Sequence, residues 1–180
     1  MEGSAQNERD YMLAFQPLTL EDIAGLKEYC RQKKASICDH TFGTVMTWRN
    51  IQKTERCFLD SCLLLRHRSA SGNFYYAAPF GEMEKGLEAI ANDCKERGCT
   101  PIFSGICEED KDRILARFPA LRAEAVRDWF DYRYFASRLM DFSGKSLSGQ
   151  RNHRNAFLRL HSQWEFSPIT PEVLPKFGSF

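Results

Sequence analysis

The sequence has no apolar run that approaches the roughly 20 residues needed to cross a lipid bilayer. The run Cys62-Leu63-Leu64-Leu65, for example, is far shorter than that length. The start of the chain, MEGSAQNERD, contains no apolar segment behind a basic residue, so it does not resemble a secretory signal. These two absences predict a cytoplasmic protein without a transmembrane segment.

The sequence also lacks an excess of charge of either sign. It has 25 Lys and Arg against 24 Asp and Glu, which leaves a formal net charge of +1 at pH 7. This balance argues against a strongly basic nucleic-acid-binding protein, so no DNA partner is expected. Hydrophobic residues make up 43 % of the chain, which is enough for a packed core and excludes disorder over most of its length.

The cysteines lack the spacing of a metal site or of a redox motif. There are seven of them, and no two are arranged as C-x-x-C. The pairs Cys57/Cys62 and Cys94/Cys99 are wider than the gap in common zinc sites. We therefore expect reduced thiols, several of them in the core, and no metal ion.

Apolar periodicity predicts helices and a hairpin in the first hundred residues. Thr19 is a typical N-cap residue, and Asp22 can complete a capping box for the helix that follows. The run Cys62–Leu65 and the segment Phe74–Ala78 are separated by a polar turn, which is typical of two antiparallel strands. A stripe of apolar residues over 83–97 predicts a long helix.

Further elements are expected beyond this helix. Residues 101–107 resemble a short strand, residues 108–117 a helix, and residues 123–136 one or two aromatic-rich strands. A helix on each side of the strand at 101–107 implies a crossover, so at least part of the sheet is expected to be parallel. The predicted class is α/β (α+β), with helices on both faces of a mixed β-sheet.

A short internal repeat indicates that a second domain begins near the end of the chain. Phe15-Gln16-Pro17-Leu18-Thr19-Leu20-Glu21 is matched by Phe166-Ser167-Pro168-Ile169-Thr170-Pro171-Glu172, 151 residues further on. Chance similarity is the alternative. The predicted organisation is a flexible N-terminus at 1–10, a domain at 11–145, a linker helix at 146–163 and the start of a truncated second domain at 164–180.

Motifs in the last third resemble those of a known bacterial family. Asp131-Tyr132-Arg133-Tyr134 is followed by Phe142-Ser143-Gly144-Lys145 and then by Arg151-Asn152-His153, with Phe157 four residues later. This spacing resembles a bacterial family of unknown function that shares the C-terminal domain of phosphatidylglycerol lysyltransferase. The family commonly has a second Lys after Gly-Lys and a Lys before Arg-Asn-His, where this chain has Ser146 and Gln150.

The resemblance covers nearly the whole chain and implies a tandem of two GNAT-like (N-acetyltransferase-like) domains. It implies an acyltransferase or aminoacyltransferase, with a coenzyme A thioester or an aminoacyl-tRNA as the donor. The implied partner is the missing second domain, or a second copy of the chain through self-association.

Candidate substrate-binding residues lie in these motifs. Lys145, Arg151, Asn152 and His153 surround a predicted helix N-terminus next to Gly144, where they can hold an anionic ligand or tRNA. The alternative is that His153 packs on the helical stripe while the cations pair with nearby acids.

Two other kinds of candidate lie outside that helix. Asp131 and Tyr132 can offer acid–base chemistry or form a hydrogen-bonded core pair. His40 and His67 belong to no motif and are expected on the surface. No catalytic residue is assigned.

A loop for coenzyme A is missing from the sequence. Acetyltransferases of the implied fold usually carry Gln/Arg-x-x-Gly-x-Gly/Ala, whose backbone N–H groups cradle the pyrophosphate. The nearest segment, Arg68-Ser69-Ala70-Ser71-Gly72, has its glycine one place late. We therefore expect the chain to be the non-catalytic first half of a transferase. The alternative is a non-enzymatic binding or scaffold module derived from such a domain.

Overall fold

The chain forms two units, residues 1–131 and residues 132–180. The first unit contains an antiparallel sheet. The computed structural model describes residues 13–33 and 37–177, so the predicted flexible N-terminus at 1–10 lies outside the described residues. The strands are β1 (Gln16–Pro17), β2 (Glu55–Phe58), β3 (Cys62–Arg68), β4 (Phe74–Tyr76) and β5 (Phe80–Gly81). The α-helices of this unit are α1 (Ile23–Lys33), α2 (Phe42–Trp48), α3 (Met83–Glu96) and α4 (Glu108–Arg117), and short 3-10 helices span Leu20–Asp22, Cys38–His40 and Arg127–Trp129.

Strand β3 lies at the centre of the sheet. It pairs with β2 on one edge and with β4 and β5 on the other, always antiparallel. The register places Leu63 opposite Phe80 and His67 opposite Tyr75. The predicted hairpin is confirmed, with β3 and β4 as its strands.

Within residues 13–33 and 37–177, the expected parallel pairing is limited to one bridge between Tyr76 of β4 and Phe103. Tyr76 N donates to Ile102 O (2.8 Å), and Ser104 N donates to Tyr76 O (3.1 Å). The chain then turns away at Gly105, whose φ of +62° ends the extended segment. Helix α3 forms the crossover between β4 and this bridge, and the five strands themselves give an antiparallel sheet of the α+β class.

Helices cover both faces of the sheet, as the sequence predicted. On one face, Leu65 of β3 packs with Leu26 of α1 and Met46 of α2. On the other face, Leu64 packs with Ile90 of α3. Successive residues of a strand point to opposite faces, so a strand covered on both sides is apolar at every position.

Local sequence signals set several helix ends. The predicted capping box is present, since Thr19 N donates to Asp22 Oδ2 (2.8 Å) and Glu21 N donates to the Thr19 hydroxyl (3.3 Å). Gly98 follows α3 with φ of +62°, a conformation that favours glycine and ends the helix there.

The strands predicted over residues 123–136 are wrong. This segment contains the 3-10 helix Arg127–Trp129 and the start of α5 (Ala136–Asp141), and none of the described strands pairs with it. Its aromatic side chains are exposed at both alternating positions: Trp129, Phe130, Tyr132, Tyr134 and Phe135. The loose alternation therefore does not separate a buried face from an exposed one, which is what a strand of a packed sheet requires.

The second unit is helical where it has regular structure. It contains α5, a 3-10 helix at Lys145–Leu147, α6 (Ser148–Leu160) and a 3-10 helix at Leu174–Phe177. Helix α6 lies within the predicted linker helix at 146–163. The repeat segment 166–172 forms no strand, and the truncated second domain at 164–180 stays a prediction.

A buried carboxylate ties α3 to the sheet. Asp93 is fully buried and accepts hydrogen bonds from Leu13 N (3.2 Å), Arg97 Nε (2.9 Å) and the Tyr76 hydroxyl (3.4 Å). Removing one member of a buried charge pair leaves its partners without compensation, which is strongly destabilising.

We expect Asp93→Ala to lower the free energy of unfolding by about 3 kcal/mol, because its three donors lose their acceptor. Urea-induced unfolding followed by circular dichroism measures the change. The matched control Glu28→Gln removes an exposed carboxylate that lies 2.9 Å from Arg31, and it should leave the midpoint nearly unchanged. Equal effects of the two substitutions would contradict the role assigned to Asp93.

Candidate functional site

Two short segments of the first unit face each other. The 3-10 helix Cys38–His40 comes after α1, and residues 104–107 connect the Phe103 bridge to α4. A Cβ placed on Gly105 would lie 3.3 Å from Asp39 Oδ2, so the two segments are in contact. We call residues 37–40 and 104–107 the loop cluster.

An ion pair that is almost completely buried lies next to the loop cluster. Lys33 Nζ lies 2.9 Å from Asp110 Oδ2, and the two side chains are 11 % and 13 % exposed. Lys33 also donates to Pro79 O (3.2 Å), and the Cys107 thiol donates to Asp110 (3.2 Å). Burial raises the pKa of Asp110, but the hydrogen bond and charge of Lys33 outweigh it and hold that pKa below its ordinary value. Asp110 is therefore ionised at neutral pH.

His40 is buried beside this pair, so the prediction that it lies on the surface is wrong. Its side chain is 2 % exposed, and its ring meets the Phe80 ring edge to face with 5.4 Å between centroids. Neither ring nitrogen has a hydrogen bond of good geometry to the described residues, although the Gly105 backbone lies near the ring. Burial, together with the charge of Lys33, lowers the pKa of His40 to about 4. The ring is therefore neutral at pH 7.

His67 and Ser104 form a hydrogen-bonded pair. The Nε2 atom of His67 lies 3.0 Å from Ser104 Oγ, and the tautomer of the ring decides which atom donates. The His67 ring stacks on Tyr75, with 5.8 Å between centroids and 9° between the planes. Burial lowers the pKa of His67, and the Asp39 carboxylate opposes this shift. The predicted surface position of His67 is corrected to a half-buried one.

Asp131 and Tyr132 do not form the buried pair that was one alternative for them. Asp131 accepts hydrogen bonds from Cys38 N (2.6 Å) and from the Cys38 thiol (3.0 Å). These bonds lower the pKa of Asp131 and raise the pKa of the Cys38 thiol to about 11, so the carboxylate is ionised and the thiol is protonated at neutral pH. Tyr132 is exposed, and its ring stacks on Tyr134.

The second unit contains the predicted anion-binding residues at the start of α6. Arg151 Nη1 donates to Phe142 O (2.5 Å) and Gly144 O (3.3 Å), so main-chain carbonyls hold the guanidinium rather than an acidic side chain. Lys145 is exposed in the 3-10 helix that precedes α6. The first turn of α6 contains no acid. The cations Lys145 and Arg151 therefore lie near this helix start without a carboxylate in that turn to neutralise them.

Asn152 and His153 are exposed on α6. The expected packing of His153 against the apolar stripe is not observed. The stripe is formed further along, where the Phe157 ring lies 4.8 Å from the His161 ring and 6.2 Å from the Trp164 ring, measured between centroids. Asn152 and His153 therefore stay accessible, and their role in binding stays a prediction.

The loop cluster and its neighbours could not be predicted from the sequence, because their contacts join distant parts of the chain. His67 and Ser104 are 37 positions apart, and Lys33 and Asp110 are 77 apart. The one usable signal is the alternation along β3, which places His67 on the same face as Leu65 and therefore towards α1 and α2.

Two grooves of the first unit have the volume of a small ligand. A groove of about 540 Å³ lies between α1 and α2 and is lined by Lys27, Arg31 and Phe42 among others. A groove of about 370 Å³ lies beside the β2–β3 turn, next to Lys85. Neither is lined by a predicted binding residue or by the His67–Ser104 pair, so shape alone does not select a site.

The next features are membrane-spanning helices, metal-binding clusters and disulfides. Over residues 13–33 and 37–177, every helix is too short or too polar to cross a membrane. In the same ranges, no three His, Cys, Asp or Glu side chains converge where a metal ion could bind. None of the cysteines forms a disulfide.

Known proteins resemble this chain in sequence and in fold. A family model described as "Phosphatidylglycerol lysyltransferase, C-terminal" matches residues 31–178. No curated protein matches the chain. The crystal structure of a conserved protein of unknown function from Bacteroides thetaiotaomicron VPI-5482 has a similar fold, with a TM-score of 0.72 and 24 % sequence identity. The match covers 92 % of this chain and 57 % of that one, so this chain spans little more than half of that protein's length.

We expect His40 to make the protein less stable in acid. The unfolded chain takes up a proton near pH 6.5, whereas the buried ring does so only near pH 4, so stability falls as the pH drops between these values. The full effect is about 3 kcal/mol. Urea-induced unfolding at pH 7.5 and pH 4.5 measures it.

The variant His40→Leu should lose most of this pH dependence, because leucine does not titrate. His153→Leu removes an exposed histidine and is the matched control, which should keep the wild-type pH dependence. A His40→Leu variant that loses as much stability in acid as the wild type would show that His40 is not responsible.

Proposed function

The chain belongs to the phosphatidylglycerol lysyltransferase C-terminal family, whose model matches residues 31–178, and from this premise we propose that it is the non-catalytic N-terminal half of an acyl- or aminoacyl-transferase. The donor would be a coenzyme A thioester or an aminoacyl-tRNA, and the acceptor an amine or a hydroxyl group. The donor site would lie in a second GNAT-like domain.

The observation that carries this proposal is the charge at the helix starts of the first unit. A donor pyrophosphate binds well at a helix N-terminus that carries no negative side chains. Here, acids occupy the first turns of the 3-10 helix that leads into α1 and of helices α3 and α4: Glu21, Asp22, Glu84, Glu108, Glu109 and Asp110. A phosphate group at any of these positions would meet like charge.

A second domain has further support from the length of the structural relative and from the repeat at residues 166–172. This chain spans 57 % of that relative, and the repeat resembles the segment that opens the first unit. Large apolar side chains of the second unit are also exposed, among them Phe135, Met140, Leu160 and Phe166. Burial under a second domain, or under a second copy of the chain, would remove this apolar surface from water.

A binding or scaffold module is the second candidate function, and the start of α6 favours it. Arg151 is already oriented by two main-chain carbonyls, and Lys145 lies exposed nearby in the sequence without an ion-pair partner among the described residues. A phosphate of tRNA or another anionic ligand would find two cations and a helix N-terminus there.

We expect residues 1–180 alone to transfer no acyl group from acetyl-coenzyme A or lysyl-tRNA, because acids at helix starts of the first unit, such as Asp22, Glu84 and Glu108, disfavour the phosphates of a donor there. The purified chain is incubated with radiolabelled acetyl-coenzyme A or lysyl-tRNA and a panel of amines, and product is counted after separation. Turnover above the buffer rate with either donor would overturn the assignment of this chain as the non-catalytic half.

We expect Lys145→Ala to weaken binding of tRNA to the chain and to reduce the slope of log affinity against log salt by about one, as the loss of one phosphate contact does. Fluorescence anisotropy with labelled tRNA measures both quantities. Lys95→Ala removes another exposed lysine, at the end of α3, and should change neither. An equal effect of the two substitutions would assign tRNA binding to general charge rather than to α6.

A further inference from the structure

The His67–Ser104 pair has the geometry of a nucleophile and its base. A hydroxyl is activated when a neutral imidazole lies within about 2.6–3.2 Å of it, because the ring can accept the hydroxyl proton as the oxygen attacks. The observed distance from Ser104 Oγ to His67 Nε2 is 3.0 Å. This contact has no place in the proposed transferase site, which would lie in a second domain.

The base of this pair is held in position and is neutral at physiological pH. His67 lies near the end of β3, directly opposite Tyr75 of β4, and the two rings stack with 9° between their planes. Burial lowers the pKa of His67, so the ring is free to accept a proton above pH 6.5. The Asp39 carboxylate opposes this shift, which means that it stabilises the imidazolium once the proton has moved.

The nucleophile is also held by its surroundings. Ser104 N donates to Tyr76 O (3.1 Å), which fixes the backbone of the serine to the edge of the sheet. The chain then turns at Gly105 and begins α4 at Glu108, so the serine lies between an extended residue and a helix. The N–H groups of Gly105 and Ile106 make no hydrogen bond to the described residues, so donors for a developing oxyanion lie next to the nucleophile in the chain.

We propose that Ser104 is a nucleophile that accepts an acyl group from small activated esters, with His67 as its general base and Asp39 as a positioning residue. Ser104 Oγ bonds to the ester carbonyl carbon while its proton moves to His67 Nε2. The bond from that carbon to the leaving oxygen then breaks, the alkoxide or phenolate departs, and Ser104 carries the acyl group as an ester. The imidazolium returns its proton to the leaving group or to solvent.

The side chains of His67 and Ser104 are half-buried, and neither residue lines either groove described above. A long acyl chain attached to Ser104 would therefore occupy neither groove, so we assign small acyl groups as the substrate class. Such an ester carries no nucleotide or tRNA, so the reaction needs none of the donor contacts of the proposed transferase. Failure of one proposal therefore leaves the other standing.

The test is acylation of the chain by p-nitrophenyl acetate. Stopped-flow absorbance should show a burst of one nitrophenolate per chain, and peptide mass mapping should place one acetyl group on Ser104. The burst rate should rise with pH and level off once His67 has lost its proton, and burial places that midpoint below the ordinary pKa of an imidazole. Acetyl groups found only on lysines, or no burst, would overturn the proposal.

Variants separate a chemical role from a structural one. Ser104→Ala should remove the burst, and His67→Gln, which can keep a hydrogen bond but cannot take the proton, should slow it by at least about 100-fold. Asp39→Asn should move the midpoint of the pH profile to lower pH, because the charge that favours the imidazolium is gone. Ser71→Ala is the matched control, since Ser71 lies 2.8 Å from the hydroxyl of Ser69 rather than from a base, and the burst should be unchanged.

Each variant is first checked by urea-induced unfolding, so that loss of the burst is read only from folded protein. A folded His67→Gln variant that reacts at the wild-type rate would overturn the role of His67 as a base. Acetylation of Ser104→Ala at another residue with an unchanged burst would overturn the role of Ser104.

Discussion

Strand β3 is covered by helices on both faces of the sheet and paired with strands on both edges, and this position fixes the placement of the elements that pack around it. Its residues from Cys62 to Arg66 are buried, and three other strands pair with it. The charged end of this buried run is neutralised locally, because the Arg66 guanidinium lies 2.7 Å from a Glu55 oxygen and between the rings of Phe15 and Phe74. A cation in this position is tolerated because a cross-strand carboxylate and two aromatic faces replace the water that it loses. His67 follows directly, and its place beside Tyr75 is set by the same register.

The buried charges of the first unit follow one rule, with His40 as the exception. Asp93 is paired with Arg97, Lys33 with Asp110, and Arg66 with Glu55, so each of these buried ions has an opposite charge within 3 Å. His40 instead remains neutral, because burial and the charge of the neighbouring Lys33 disfavour its imidazolium, and its ring nitrogens make no hydrogen bond of good geometry to the described residues. The loop cluster thus contains a ring that titrates only in acid and lies next to the Lys33–Asp110 ion pair.

The structural elements that could be predicted from the sequence are those determined by neighbouring residues in the chain. The capping box at Thr19 and the continuous apolar run of β3 could be read because each is a property of adjacent residues, and both are confirmed. Strand β2 was missed because Glu55-Arg56-Cys57-Phe58 has little apolar character of its own and is held by its neighbours on both edges. The aromatic segment at 123–136 shows the converse, since strand-forming residue types without a pairing edge do not make a strand. The loop cluster depends on which distant segments meet, and only the fold supplies that information.

The acidic helix starts bear on both the fold and the chemistry of the first unit. In α4, Asp110 holds Lys33 and Glu108 pairs with Lys111, and in α3 Glu84 pairs with Arg113 of α4. These acids complement the helix dipoles and link elements to one another, so they stabilise the fold and place negative charge where a helix start would otherwise attract an anion. Carboxylates at a helix start repel the phosphate groups of a donor, so such a donor binds poorly there. These acids therefore disfavour a phosphorylated substrate at the starts of α3 and α4, whereas the first turn of α6 in the second unit contains no acid.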